Sequence, residues 1–186
     1  MVEKFTVAYV FEGTVAQALR EIADELSEQF GIPNRYEYAP PHITLKYPVE
    51  DRVHRMQPTL EALLQNFCST HSAATMTLAG LHVFADARVL FAEVEKSRQA
   101  SVLHMEFMQC YLTSVEPLVT AGSRLSELFQ KFDFAGEWHA TIAARLGEKF
   151  DQIWKHCRSK RIERTVITLD KMTLIGFDGV PHSHVK

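Results

Sequence analysis

The segment Pro41-His42-Ile43-Thr44-Leu45 returns, nearly unchanged, as Trp138-His139-Ala140-Thr141-Ile142 in the other half of the chain. Each segment places a histidine, an apolar residue, a threonine and an aliphatic residue in the same order. Because alternate residues of an extended strand face the same side, each histidine shares a face with its threonine. The apolar residues face the opposite side. The repeated pattern therefore predicts two half-buried strands, each with one imidazole and one hydroxyl on its polar face.

Two strands of this kind, brought side by side, would form a site with two imidazoles and two hydroxyl groups. Imidazole has an unperturbed pKa of about 6.5, so it can take up or release a proton near neutral pH. Hydroxyl groups can donate hydrogen bonds to the non-bridging oxygens of a phosphate as negative charge develops there. Such a site therefore suits acid–base chemistry on a phosphate ester.

The composition of the chain restricts both its size class and its partners. With 186 residues, of which 46% are hydrophobic and 23% charged, the sequence predicts one globular domain spanning residues 1–186. No apolar run approaches the roughly 20 residues of a membrane span, so we expect no membrane association. Three scattered cysteines and no recognisable secretory leader favour a reducing, cytoplasmic location. The net charge of −3 argues against binding along an extended duplex and favours an RNA end or a small nucleotide.

Other kinds of chemistry find less support in the sequence. Neither His-x-Thr segment has a second histidine or cysteine at the spacing of zinc ligands, so we expect no metal and no cofactor. The pair His182 and His184 is interpreted as part of a solvated C-terminal tail. The cysteines fall on apolar faces of predicted helices and are expected in the core rather than as nucleophiles. A basic cluster is interpreted as a solvated helix end rather than a substrate site; it comprises Arg158, Lys160, Arg161 and Arg164.

Hydrophobic periodicity predicts the elements around the two segments. A strand is expected at 5–11, followed by a helix that starts at Thr14, where Gln17 completes a capping box, and stops at Gly31. Further helices are expected from about Pro58, at 99–112 and over 150–157, whereas residues 113–136 favour no single element. The remaining strands are predicted at 75–84 and 88–94, joined by a short turn, and at 165–169 and 172–177. This order predicts an α+β fold with two similar lobes, one from each half of the chain.

The segments His42-Ile43-Thr44-Leu45 and His139-Ala140-Thr141-Ile142 resemble the paired H-x-T-hydrophobic signatures of the two-histidine (2H) phosphoesterase superfamily. This superfamily includes 2′–5′ RNA ligase-like proteins and RNA 2′,3′-cyclic phosphodiesterases. The resemblance covers most of the chain, and residues 113–136 fit it least well. It implies a bilobal single domain in which two mainly antiparallel sheets face a central groove, helices pack outside, and the two H-x-T strands are related by a pseudo-twofold axis.

The resemblance also implies roles for individual residues. His42 and His139 would be the catalytic pair. The resemblance favours His42 as proton donor and His139 as proton acceptor, while the near symmetry of the two motifs also allows the exchanged roles. Thr44 and Thr141 would bind the phosphate oxygens. Phe84, at the end of a predicted strand beside the groove, is a candidate for stacking on a nucleobase, although a hydrophobic plug at a hairpin end is an equally good interpretation.

Together these observations predict a monomeric, metal-independent phosphodiesterase that hydrolyses 2′,3′-cyclic phosphate ends of RNA or cyclic nucleotides. Three alternatives are compatible with the same residues. One is a 2′–5′ RNA ligase activity, and another is a hydrolase of a non-nucleotide cyclic phosphate ester. The third is a binding module for nucleotides or RNA ends without turnover, which the intact histidine and threonine in both segments disfavour.

Overall fold

The computed structural model of the chain describes residues 3–51, 56–115, 133, 137–176 and 181–185. Within these residues the helices are α1 (Gly13–Phe30), α2 (Met56–Thr70), α3 (Arg98–Ser114) and α4 (Phe150–Cys157), and single 3₁₀ turns lie at Arg35–Glu37 and Gly147–Lys149. The strands are β1 (Glu3–Val10), β2 (His42–Asp51), β3 (Ala74–Phe84), β4 (Val89–Lys96), β5 (His139–Ala143), β6 (Thr165–Leu169), β7 (Met172–Gly176) and β8 (Pro181–Val185).

The strands form two four-stranded sheets whose neighbours are all antiparallel. The strand order is β2-β1-β7-β8 in the first sheet and β5-β4-β3-β6 in the second. Each His-x-Thr strand, β2 or β5, is therefore the edge strand of its sheet, and the two edges contact each other. This arrangement confirms the predicted α+β class with two antiparallel sheets.

The lobes do not correspond to the two halves of the chain, so that part of the prediction is wrong. The first sheet combines β1 and β2 with β7 and β8 from the C-terminal end, whereas β6 returns to pair with β3 of the second sheet. Hydrophobic periodicity identifies a strand but carries no information about which partner it pairs with. Periodicity therefore could not predict that the C-terminal strands are divided between the two sheets.

Residues from both sheets and from helices α1 to α4 contribute to one apolar core. Representative side chains that are at most 2% exposed are Phe5, Leu19, Leu60, Leu90, Phe107 and Ile153. Of the cysteines, Cys157 is fully buried, and Cys68 and Cys110 are half-buried against the same core. The helices therefore pack on one face of each sheet, and the opposite face carries the site.

The sequence predicts the C-terminal end of helix α1 correctly but not its start. Gly31 adopts a left-handed conformation, with φ of 60°, and its N–H donates to the Ser27 carbonyl, as expected for a glycine that ends a helix. The predicted capping box at Thr14 is wrong, because the helix begins at Gly13 and Glu12 occupies the N-cap position without a side-chain capping bond. The Glu12 carboxylate instead pairs with the Lys171 ammonium at 2.5 Å, a partner that lies far away in the sequence.

The C-terminal segment also differs from its prediction. The residues interpreted as a solvated tail, His182 and His184, belong to β8, whose backbone pairs with β7. Of the segment 113–136, the structure describes 113–115 and 133, and the remainder lies outside the described residues. In the basic cluster, Lys160 pairs with Glu25 at 2.7 Å and Arg164 pairs with Glu95, which agrees with a structural role for these side chains.

Candidate active site

The two His-x-Thr segments lie in strands that alternate between a buried and a partly exposed face. The four residues on the core side of these strands are at most 2% exposed: Ile43, Leu45, Ala140 and Ile142. His42, Thr44, His139 and Thr141 are half-buried on the other side. Because β2 and β5 are facing edges, the structure brings the two histidines together, and the positive charge of a protonated His139 lowers the pKa of His42.

Both imidazoles are oriented by the same kind of backbone contact. His42 Nδ1 lies 2.8 Å from the carbonyl oxygen of Pro40, and His139 Nδ1 lies 2.9 Å from that of Glu137. A carbonyl oxygen can only accept, so the proton of each neutral ring must lie on Nδ1. Each Nε2 is therefore left to exchange a proton with a substrate, accepting one when the ring is neutral and donating one when it is charged.

The protein environment makes both imidazoles weaker bases than free histidine. Burial lowers the pKa of His42 to about 4, against a partial compensation by the Pro40 carbonyl. Burial also lowers the pKa of His139, which retains more contact with solvent. In both cases the positive charge of Arg35 lowers the pKa further. Since lowering the pKa favours the neutral ring, both histidines are uncharged at pH 7 in the ligand-free protein.

A buried tyrosine ties the segment before β2 to strand β5. The Tyr36 hydroxyl donates to the Thr141 carbonyl oxygen at 2.9 Å, and the Tyr36 backbone N–H donates to the Asn34 side chain at 2.8 Å. Burial raises the pKa of Tyr36 well above its ordinary value, so its hydroxyl stays a donor. No local pattern in the sequence identifies this residue, because its partner lies 105 positions away.

Side chains from elsewhere in the chain form hydrogen bonds with backbone groups on the free edge of β2. His104 of α3 lies with Nε2 2.7 Å from the Leu45 carbonyl oxygen, and Asp133 accepts a hydrogen bond from the Tyr47 N–H at 2.8 Å. Edge strands expose backbone groups of this kind, and burying them without partners would be costly. Asp133 also forms an ion pair with Lys46 at 2.7 Å, in which the side chains are 2% and 5% exposed, respectively. These contacts fix the strand that carries His42 and Thr44.

Aromatic rings form the part of the site that lies on the second sheet. Phe84 is stacked on Phe91 with their centroids 4.1 Å apart, and it meets the His139 ring edge-on at 4.9 Å. Phe91 is itself 5.2 Å from His139 and pairs across the strands with Thr141. Phe91 is 4% exposed but does not belong to the main core cluster. The structure thus places Phe84 against the histidine, and adds Phe91, which the register of the β3–β4 hairpin could have identified.

In the described part of the chain, no group of three or more histidine, cysteine or acidic side chains has the geometry to hold a metal ion. In the same residues, no helix combines the length and apolar character needed to cross a membrane.

Similarity to solved structures supports the fold assignment. TT0787 of Thermus thermophilus has 16% sequence identity and a TM-score of 0.64, over 98% of this chain and 96% of that one. A protein described as a phosphoesterase has 14% identity and a TM-score of 0.57, over 99% and 97%. E. coli LigT, solved in complex with 3′-AMP, has 14% identity and a TM-score of 0.56, also over 99% and 97%. At these identities the likeness concerns the fold alone.

Sequence comparison assigns the family. No curated protein matches the chain by sequence. A family model, that of the 2′–5′ RNA ligase superfamily, matches residues 11–181 and so includes both His-x-Thr segments. The match confirms the resemblance found in the two segments, and the chain belongs to the 2′–5′ RNA ligase superfamily.

Proposed function

We propose that this protein is a metal-independent phosphodiesterase that opens 2′,3′-cyclic phosphates at RNA ends or in cyclic nucleotides. The observation that carries the proposal is the matched pair of imidazoles, in each of which a carbonyl oxygen holds Nδ1 while no described residue bonds to Nε2. Membership in the 2′–5′ RNA ligase superfamily supports it. That E. coli LigT was solved with 3′-AMP supports a nucleotide as the substrate.

The proposed reaction needs two proton transfers on opposite sides of the phosphorus. One imidazole removes a proton from water, whose oxygen forms a new bond to phosphorus. The bond from phosphorus to one ribose oxygen breaks, and the second imidazole donates a proton to that oxygen. Thr44 and Thr141 donate hydrogen bonds to the non-bridging oxygens, where negative charge increases. The products are a phosphate monoester and a free ribose hydroxyl.

The roles proposed for the two histidines require bound substrate. In the ligand-free protein His139 holds a proton more readily, because burial lowers the pKa of His42 so strongly. A bound phosphate anion raises the pKa of both rings, and its effect is larger for His42, since charges interact more strongly where less water surrounds them. On this basis we assign proton donation to His42 and proton acceptance to His139.

A substrate with a leaving group that needs no proton tests this assignment. We expect a p-nitrophenyl phosphodiester to be cleaved by His42→Ala with much of the wild-type kcat, and by His139→Ala with little of it. The comparison is made against a 2′,3′-cyclic nucleotide, on which both variants should be impaired. If the His139 variant alone were restored by the activated substrate, the two roles would have to be exchanged.

Phe84 is proposed as the surface on which a nucleobase stacks. A base stacked on an aromatic ring contributes about 1–3 kcal/mol, so Phe84→Ala should raise KM for nucleotide substrates roughly 5- to 150-fold with a smaller change in kcat. Steady-state kinetics on a cyclic nucleotide measures both constants. Phe30→Ala is the matched control, because Phe30 is also half-buried and meets a histidine, His156, edge-on at 5.4 Å. An unchanged KM would favour the hydrophobic-plug interpretation.

A panel of substrates, assayed with a chelator present, tests the function itself. The panel contains 2′,3′-cyclic mononucleotides, RNA with a 2′,3′-cyclic phosphate end, 2′–5′-linked oligonucleotides and a non-nucleotide cyclic phosphate. We expect turnover of the first two and full activity in the chelator. Joining of RNA ends without hydrolysis would favour the ligase alternative, and binding without turnover of any substrate would favour the binding module. Activity that is lost in chelator and restored by a divalent ion would contradict metal independence.

A further inference from the structure

Arg35 lies in a turn that leads into β2 and contacts β5, the two His-x-Thr strands. It is the first residue of the 3₁₀ turn that precedes β2. The turn is held to α1 by a hydrogen bond of 2.5 Å from Asn34 to Asp24 and to β5 by the bond from Tyr36 to the Thr141 carbonyl oxygen. The backbone of Arg35 is therefore fixed with respect to both histidines.

The Arg35 side chain carries a charge that the described residues do not neutralise. Its Nε atom is buried and has no hydrogen-bond partner among them, and none of the described carboxylates forms an ion pair with it. Other cations in the described part of the chain do have such partners: Lys46 pairs with Asp133, and Lys160 with Glu25. The Arg35 side chain is half-buried, with its Nε inaccessible to solvent, and arginine stays protonated at neutral pH, so this charge gains from an anionic partner. Since no described residue pairs with the guanidinium, it is available to bind an anionic ligand.

The electrostatic influence of Arg35 places this charge beside the reacting groups. The turn that carries it leads into β2 and contacts β5, and the Arg35 charge lowers the pKa of both His42 and His139. In the absence of an anion it opposes the protonation that one of the rings must undergo. A phosphate bound between the histidines would offset this repulsion. Its negative charge would attract the Arg35 guanidinium and would favour the protonated form of both imidazoles.

We propose that Arg35 binds the phosphate group that lies between His42 and His139. The inference rests on the proposed function for its substrate, a phosphate diester, but not on turnover. Arginine presents several N–H donors in a fixed plane, which suits two oxygens of one phosphate. In this arrangement Thr44 and Thr141 supply neutral donors and Arg35 supplies the charge. No covalent step involves the guanidinium.

Binding of inorganic phosphate at pH 8 tests the proposal, because both imidazoles are neutral there and the arginine charge is isolated. Removing a charged hydrogen-bond donor costs about 1.5–3 kcal/mol, so Arg35→Gln should weaken phosphate binding roughly 10- to 150-fold. Arg35→Lys should retain part of the affinity. Arg20→Gln is the matched control, since Arg20 donates to the Tyr36 carbonyl oxygen of the same turn at 3.2 Å but faces solvent, and it should bind phosphate normally.

Two further readouts separate binding from structural support. In phosphate-free Arg35→Gln, NMR titration should show higher pKa values for both His42 and His139 than in the wild-type protein. In the wild-type protein, the Arg35 Nε–H resonance should shift and exchange more slowly with solvent as phosphate is added, which needs no variant to fold. Three outcomes would overturn the proposal. They are equal phosphate affinity in Arg35→Gln and wild type, an Nε–H signal that does not change when phosphate is added, and no phosphate binding by the wild type. Phosphate binding that depends on Arg35, without turnover of any cyclic phosphate, would contradict the proposed function alone.

Discussion

His139→Ala and His42→Ala are each expected to lower kcat on a 2′,3′-cyclic nucleotide by roughly 10²- to 10⁴-fold. Each variant loses one proton-transfer group, and nothing else on β2 or β5 offers an imidazole at that position. The double variant should be much less than multiplicatively worse, because the two rings act in one step. Thr44→Val and Thr141→Val should cost less, on the order of 10²-fold each, by removing one donor to the phosphate. Steady-state kinetics at saturating substrate measures these losses.

The matched control for the histidine variants is His82→Ala. His82 is an exposed histidine of β3 that pairs with Glu93 at 3.1 Å, and its cross-strand neighbour is Phe91. It lies in the same sheet as His139, yet no step of the proposed reaction uses it, so kcat should remain close to the wild-type value. Near-normal turnover by His139→Ala on every substrate of the panel would refute the catalytic assignment.

Lys46→Met is expected to lower the free energy of unfolding by about 3–5 kcal/mol, because it leaves the Asp133 carboxylate buried without its cation. Both side chains of this pair are at most 5% exposed, and burial already raises the pKa of Asp133. The Lys46 ammonium also lies 5.0 Å from the centre of the Tyr111 ring, so its replacement removes a cation–π contact. Urea unfolding of the wild type and the variant measures the loss.

Two further variants locate the cause of this instability. Lys160→Met removes the cation of a half-exposed pair with Glu25, of which the expected contribution is about 0–1 kcal/mol. Lys46→Met combined with Asp133→Leu should recover much of the stability, although the Tyr47 N–H loses its acceptor. A Lys46→Met variant no less stable than Lys160→Met would show that the buried pair does not hold β2 in place.

The parts of the fold that the sequence predicted are those set by local periodicity. The alternation around His42 and His139 identified two half-buried strands and the face that each imidazole occupies. The apolar stripe of α1 and its end at Gly31 followed from a spacing of three and four residues. At the start of α1 the local rule failed, because the Glu12 carboxylate pairs with Lys171 and the helix begins one residue before Thr14.

The parts that could not be predicted depend on contacts between distant segments. Tyr36 meets Thr141 across 105 residues, and Asp133 meets Tyr47 across 86 residues, so neither partner is visible in a local pattern. His104 belongs to no motif in the sequence, yet it supports the free edge of β2 by its contact with the Leu45 carbonyl oxygen. Arg35 precedes the first histidine by seven residues and belongs to no motif. Its importance appears only when the turn that carries it is placed beside β5.

The pH dependence of kcat/KM on a 2′,3′-cyclic nucleotide, measured with a chelator present, tests the central claim that two coupled imidazoles carry out the reaction. This constant reports the free enzyme, in which the pKa of each histidine is lowered, so the wild-type profile should be bell-shaped with its optimum below pH 6.5. The two limbs belong to the pair rather than to either residue. His42→Ala and His139→Ala should each reduce the bell to a single limb. A bell that persists unchanged in either variant, or a wild-type rate independent of pH between 4 and 8, would contradict the account.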